Sequence, residues 1–131
     1  LTEITQESSA IHIRQGEHRL CLLRVNSSQA LQDQIKVGDL LPMHQGAGGK
    51  VIQAFEGRKG KLFDQIRKAG VLALPSDRIQ EISGISAPVF NDSGLLGALT
   101  LTMPTYRYNL KHTQIVKETA EKVSKLLLEY L

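Results

Sequence analysis

The chain has 131 residues, 41% of them hydrophobic and 22% charged, a composition that excludes disorder and low complexity. No apolar run approaches the ~18 residues of a membrane span, and one cysteine, Cys21, rules out an internal disulfide or a Cys-rich metal site. Sixteen basic against thirteen acidic residues leave a net charge of +3. The only basic cluster, Arg58, Lys59, Lys61, Arg67 and Lys68, reads as a solvated helix face and loop rather than a nucleic-acid stripe. No basic-then-apolar signal region opens the chain, which reads as one soluble intracellular globular domain spanning 1–131. Its first residue is Leu1 rather than Met, as expected of a piece of a longer protein.

Leu1 to Ser9 is polar and suits the end of a helix. Ile11 and Ile13 then alternate with His12 and Arg14, the period-two pattern of a half-buried strand. Gln15-Gly16-Glu17-His18 supplies a turn, and Arg19 to Val25 forms the second strand of a hairpin. On that strand Cys21, Leu23 and Val25 share one face, with Leu20, Leu22 and Arg24 on the other. Gln29 to Val37 fits either a helix or a third strand. His44-Gln45-Gly46-Ala47-Gly48-Gly49-Lys50 precedes Val51, Ile52 and Phe55 at helical spacing, so the glycines stand at a helix entrance. Glu56 to Gly60 is a charged loop. Lys61 to Ala69 is a second helix with Gly70 at its C-cap. Val71 to Leu74 is a short strand stopped by Pro75.

The strongest strand signals are Ile85 to Phe90 and Leu95 to Met103, joined by the turn Asn91-Asp92-Ser93-Gly94. Leu110 to Leu131 forms a closing helix with Ile115, Thr119, Val123, Leu126 and Tyr130 along one face. Strands at both ends around two central helices, with a closing helix, predict an α+β domain built on an antiparallel sheet.

Three blocks of this sequence together resemble the IclR family of bacterial transcription regulators, in its C-terminal effector-binding domain. They are Ala87-Pro88-Val89-Phe90 with Asp92-Ser93-Gly94 and Gly97-Ala98-Leu99; Val37-Gly38 with Leu41-Pro42-Met43-His44 and Gly49-Lys50; and Arg67-Lys68-Ala69-Gly70-Val71. They occur in order and cover nearly the whole chain. The resemblance implies a GAF- or profilin-like fold, a curved antiparallel sheet flanked by helices with a small-molecule pocket on one side. It also implies homo-oligomers, dimers or tetramers, and a winged helix-turn-helix domain that binds DNA. This chain has no recognition-helix segment and so resembles the sensor half alone. One departure stands out: the family carries a longer insertion between Phe55 and Leu62, where only Glu56 to Lys61 connects them.

Residue chemistry and resemblance converge on Gly46 to Gly49. Small residues at a helix start expose backbone N–H groups at the positive end of the helix dipole, which suits a carboxylate. The family's organic-acid contact there maps onto Ala47 and Gly48, beside Gly46. Thr100 and Thr102, two apart on a strand, point their hydroxyls to one face, with Leu99, Leu101 and Met103 opposite. Two hydroxyl residues of the family bind effector at these positions. Two further family contacts fall on Leu74, in place of an acidic residue, and on Gly84, in place of a cysteine. Neither offers the side-chain contact, although Ser76 or Asp77 stands close to the first. Met43, with Leu41, Leu72 and Ile85, is a candidate apolar wall, and His44 a candidate cap or pocket residue.

His12, His18, His44 and His112 make no metal-ligand spacing, and no nucleophile elbow or phosphate-binding loop occurs. Neither a catalytic residue nor a cofactor or metal is expected. An enzyme that uses Cys21, with His12 on the paired strand, or His44 is the remaining enzymatic option. The sequence therefore predicts a domain that senses a small organic acid, with DNA bound only through a domain outside this chain and no membrane contact. The alternative is a ligand-free dimerisation module with a degenerate pocket.

Overall fold

A computed structural model describes residues 1–28, 35–79 and 82–130. A four-residue helix, α1 (Thr2–Thr5), leads into the hairpin β1 (Ser8–Gln15) and β2 (His18–Val25). A short strand β3 (Leu40–Pro42), α2 (Gly46–Phe55) and α3 (Lys61–Ala69) follow. The chain closes with β4 (Leu72–Ile79), β5 (Ile82–Asn91), β6 (Gly94–Pro104), two 3-10 turns and α4 (Thr113–Tyr130). Six strands form one sheet in the order β3-β2-β1-β6-β5-β4, antiparallel throughout. This is the curled α+β architecture predicted, with α2 and α3 on one face and α4 on the other.

Strand alternation divides the core. On β6, Leu99, Leu101 and Met103 pack with Ile85, Ala87 and Val89 of β5 against Val116 and Ala120 of α4. From the opposite face, Ala98 meets Val51, Ile52 and Ala54 of α2 and Ile66 of α3. Full burial of each large aliphatic side chain contributes about 1.5–3 kcal/mol. The β5–β6 turn follows the sequence: Asn91 Oδ1 accepts the Ser93 N–H at 2.9 Å. Gly70 caps α3 at φ 76°.

Four expectations need correction. In the first hairpin, His12 pairs with Cys21 but Ile11 pairs with Leu23, so Leu22 is an extra residue, a β-bulge. The bulge reverses the alternation, putting Cys21 and Leu23 on opposite faces: Cys21 is buried while Leu23 and Val25 are each 58% exposed. Pro75 does not stop its strand. The pairing with β5 is irregular between Leu74 and Ile79, and β4 is a sheet edge, where a missing N–H is tolerated. The closing helix begins as a 3-10 turn at Leu110–His112, and its buried stripe is Val116 and Ala120 with Val123 and Leu127. Leu126 is exposed, because the small Ala120 lets the helix approach the sheet one position away from the bulkier stripe. Of the ambiguous segment 29–37, residues 29–34 lie outside those described, and Ile35 is buried. Residues 40–42, not assigned from sequence, pair with β2.

The basic cluster is partly structural. Arg67 Nη1 donates to the carbonyls of Ala54 (2.6 Å) and Arg58 (2.7 Å), tying α3 to the end of α2 across the short connection. Arg58 bonds Gln53 and stacks 5.0 Å above the Phe63 ring.

A second tie joins the two ends of the fold. Glu7, just before β1, receives two bonds from Arg107 in the 3-10 turn after β6, both at 2.9 Å. The carboxylate side chain is only 5% exposed. Hydrogen bonding and proximity to Glu7 hold the Arg107 guanidinium above its ordinary pKa, so it stays charged. Glu7→Gln weakens the two charge-assisted bonds from Arg107 and should cost about 1–3 kcal/mol. Urea denaturation of the two proteins measures that difference.

Candidate functional site

The first turn of α2 lies directly on the sheet. A Cβ on Gly49 would overlap the Met43 carbonyl oxygen, so only glycine fits there. Gln53, one turn later, fixes that carbonyl with a 2.7 Å bond from Nε2. A Cβ on Gly48 would stand 2.9 Å from Thr100 Oγ1, 3.4 Å from Arg19 Nη1 and 3.5 Å from His12 Nδ1. Three polar side chains from β6, β2 and β1 therefore converge where Gly48 has none. Gln45 caps the helix through an extended backbone with no side-chain bond to the first turn.

Thr100 is buried and shares a 2.9 Å bond with Ser86 Oγ. Ser86 donates its single proton to the Leu99 carbonyl at 3.2 Å, which leaves Thr100 as the donor between the two hydroxyls. Arg19 is 3% exposed. Its Nη1 contacts His12 Nδ1, and its Nη2 donates to the Gln45 carbonyl at 3.3 Å. A guanidinium has no lone pair, so Nδ1 must be the acceptor.

These groups line a small cavity of about 30 Å³. Gly46, Ala47 and Gly48 form one side, Thr100 and Thr102 the floor, and Leu74, Ile82, Ser83 and Gly84 the far wall, with Arg19 and Ile35 closing it. One water occupies roughly 10–15 Å³ on this measure, so the space suits a group about the size of a carboxylate. A larger groove of about 390 Å³ runs between Phe55, Phe90 and Leu128. It is open and mostly apolar, and its charged groups, Lys117, Glu121 and Lys125, stand on the exposed side of α4. Convergent buried polar groups favour the smaller cavity as the candidate.

Seven residues singled out from sequence, Gly46, Ala47, Gly48, Leu74, Gly84, Thr100 and Thr102, line this one cavity. Met43 does not: it is buried in the α2–α3 cluster, contributing packing and its carbonyl. The other proposed walls, Leu41, Leu72 and Ile85, sit in three separate clusters, and the apolar lining comes instead from Ile35, Leu74 and Ile82. Ser76 bonds Thr105 at 3.3 Å outside the cavity, and His44 is exposed. The side chain of residue 77 lies outside those described. Cys21 Sγ points to the Leu23 carbonyl, 3.7 Å away, while His12 is engaged by Arg19. Among the described residues no group of three or more His, Cys, Asp or Glu could hold a metal ion. None of their helices is long and apolar enough to cross a membrane.

Sequence reasoning missed Arg19. Its signal was parity: Arg19 alternates in step with buried Cys21, which places a charge on the inward side of a hairpin.

Comparisons with known proteins agree with this curled α+β fold and give its class. The family model for the bacterial transcriptional regulator IclR C-terminal region matches residues 60–125, about half of the chain. The chain belongs to this family. Among solved structures, a putative IclR-family transcriptional regulator of Rhodococcus sp. matches at 24% identity and TM-score 0.84. That match covers 98% of this chain and 60% of the other. The C-terminal domain of a putative transcriptional regulator from Vibrio cholerae matches at 26% identity and TM-score 0.77, covering 92% and 87%. An IclR homologue from Microbacterium hydrocarbonoxydans, complexed with 4-hydroxybenzoate, matches at 19% identity and TM-score 0.84, covering 96% and 62%. The chain thus spans about three-fifths of the Rhodococcus regulator. Those two relatives are described as putative transcriptional regulators. No curated protein sequence matches.

Two of the glycines lining the cavity, Gly84 and Gly48, should respond differently to a methyl group. At Gly84 an added Cβ meets Ala47 at 3.5 Å and Thr100 Cγ2 at 3.6 Å, ordinary contacts, so Gly84→Ala should change stability by less than about 1 kcal/mol. Gly48→Ala forces its new methyl against Thr100 and should cost about 1–3 kcal/mol. Thermal unfolding of the two variants checks the order.

Proposed function

We propose that this chain is the effector-binding domain of an IclR-type bacterial transcription regulator that senses a small organic acid. The acid lies between the first turn of α2 and the β6 threonines. The observation that carries this reading is the convergence of Gly46, Ala47, Gly48, Thr100 and Thr102 on one cavity. Helix-start N–H groups and hydroxyls are the donors a carboxylate takes. The 4-hydroxybenzoate complex of the Microbacterium homologue supports an acid as the ligand class. The parent protein acts in the cytoplasm as a homo-oligomer and binds DNA through a winged helix-turn-helix domain outside this chain. Ligand then acts by binding one arrangement of protomers better than another, the only means by which it can shift their equilibrium.

The small cavity favours one second reading, a ligand-free assembly module. A thermal-shift screen against carboxylates from glyoxylate and pyruvate to benzoate separates the two. An acid present at a hundred times its Kd stabilises by ~2.7 kcal/mol, several degrees for a domain of this size. The shift should vanish in a Thr100→Val, Thr102→Val double variant. A flat response across the panel would favour the assembly module.

A further inference from the structure

The two hydroxyl groups on the cavity floor differ in the proton each can offer. A hydroxyl has one proton and two lone pairs. Ser86 donates its proton to the Leu99 carbonyl at 3.2 Å, and so receives the Thr100 proton across their 2.9 Å contact. Both side chains are buried. Thr100 therefore meets the cavity with lone pairs alone. A Cβ on Gly48 would stand 2.9 Å from Thr100 Oγ1, whereas one on Gly84 would stand 3.6 Å from its methyl carbon, Cγ2. The oxygen thus faces the start of α2 and the methyl faces β5. Thr102 lines the same cavity, and among the described residues its hydroxyl has no hydrogen-bond partner, so its proton is uncommitted.

We propose that Ser86 makes Thr100 an acceptor, and that the cavity therefore selects 2-hydroxy acids over their 2-oxo counterparts. This rests on the reading of the cavity as an effector site and names the group beside the carboxylate. With the carboxylate at the Ala47 and Gly48 N–H groups, the next carbon comes beside Thr100 Oγ1. A hydroxyl on that carbon donates to Thr100 and accepts from Thr102. An oxo group in its place sets lone pairs against lone pairs and leaves the buried Thr100 acceptor unfilled. Ser86 is not among the residues that line the cavity, so it acts through Thr100 as a positioning residue.

Lactate, pyruvate and propionate carry the same charge and differ at that one position. Calorimetry on this chain at constant ionic strength should give one lactate enantiomer the highest affinity, with pyruvate and propionate each at least about tenfold weaker. Ser86→Ala lets the Thr100 proton turn into the cavity, and should bring pyruvate to within about threefold of lactate. Structural damage alone would weaken both acids alike and keep their ratio. Should Ser86→Ala fail to fold, Thr100→Val carries the test: it keeps the shape without the acceptor and should also remove the preference for lactate. Equal wild-type affinity for lactate and pyruvate, or an unchanged ratio in the variant that folds, would overturn the proposal. The cavity reading would survive those results if Gly84→Val, which fills the space, still abolished binding. Absence of binding by all three acids to the wild-type chain would overturn both.

Discussion

The close approach of the first turn of α2 to the sheet organises this domain. Gly49 sits against the Met43 carbonyl with no room for a methyl group, and Gln53 holds that carbonyl in place. Any side chain there would lift the helix start and, with it, the backbone donors of Ala47 and Gly48 away from Thr100. Downstream, Val51, Ile52 and Ala54 drive the helix onto Ala98 and Ile66, so the apolar part of α2 supplies the force that holds its polar end in place. Packing and site are two ends of one ten-residue helix.

The opposite face has a different task. There α4 covers β5 and β6 through Val116, Ala120, Val123 and Leu127 and makes the sheet rigid behind the cavity floor. Ser124 adds a polar tie, accepting the Phe90 N–H at 2.9 Å. The Glu7–Arg107 pair joins the chain leading into β1 with the turn that follows β6. Because Ser8 pairs with Thr102, that ion pair adjoins the strand end that carries the cavity threonines. Both contacts join the N-terminal segment to the strand that carries Thr100 and Thr102 and to the turn after it.

Much of this was legible from local chemistry. The Asn91–Gly94 turn, the Gly70 cap and the alternation of Thr100 and Thr102 depend on residues near in sequence, and each is found where the pattern puts it. What was not legible depends on distant partners. The bulge at Leu22 arises from pairing β2 with β1, and no composition rule announces which residue is extra. Pro75 reads as a strand breaker until the sheet order shows β4 at an edge. Two stripes overlap on the closing helix, and only contact with the sheet selects the one through Ala120. The site divides the same way: Gly46 to Gly48 and the threonines carry a motif, whereas Arg19 enters through the long-range placement of β2 beneath α2.

The central claim is that ligand chemistry resides at the start of α2. Backbone amide chemical shifts, followed by NMR as pyruvate is added, address it at residue resolution. The account predicts saturable shifts concentrated at Ala47, Gly48, Thr100 and Thr102, with the α4 groove around Phe90 and Leu128 unmoved. Shifts centred on that groove, or none at the α2 start under any carboxylate, would contradict it.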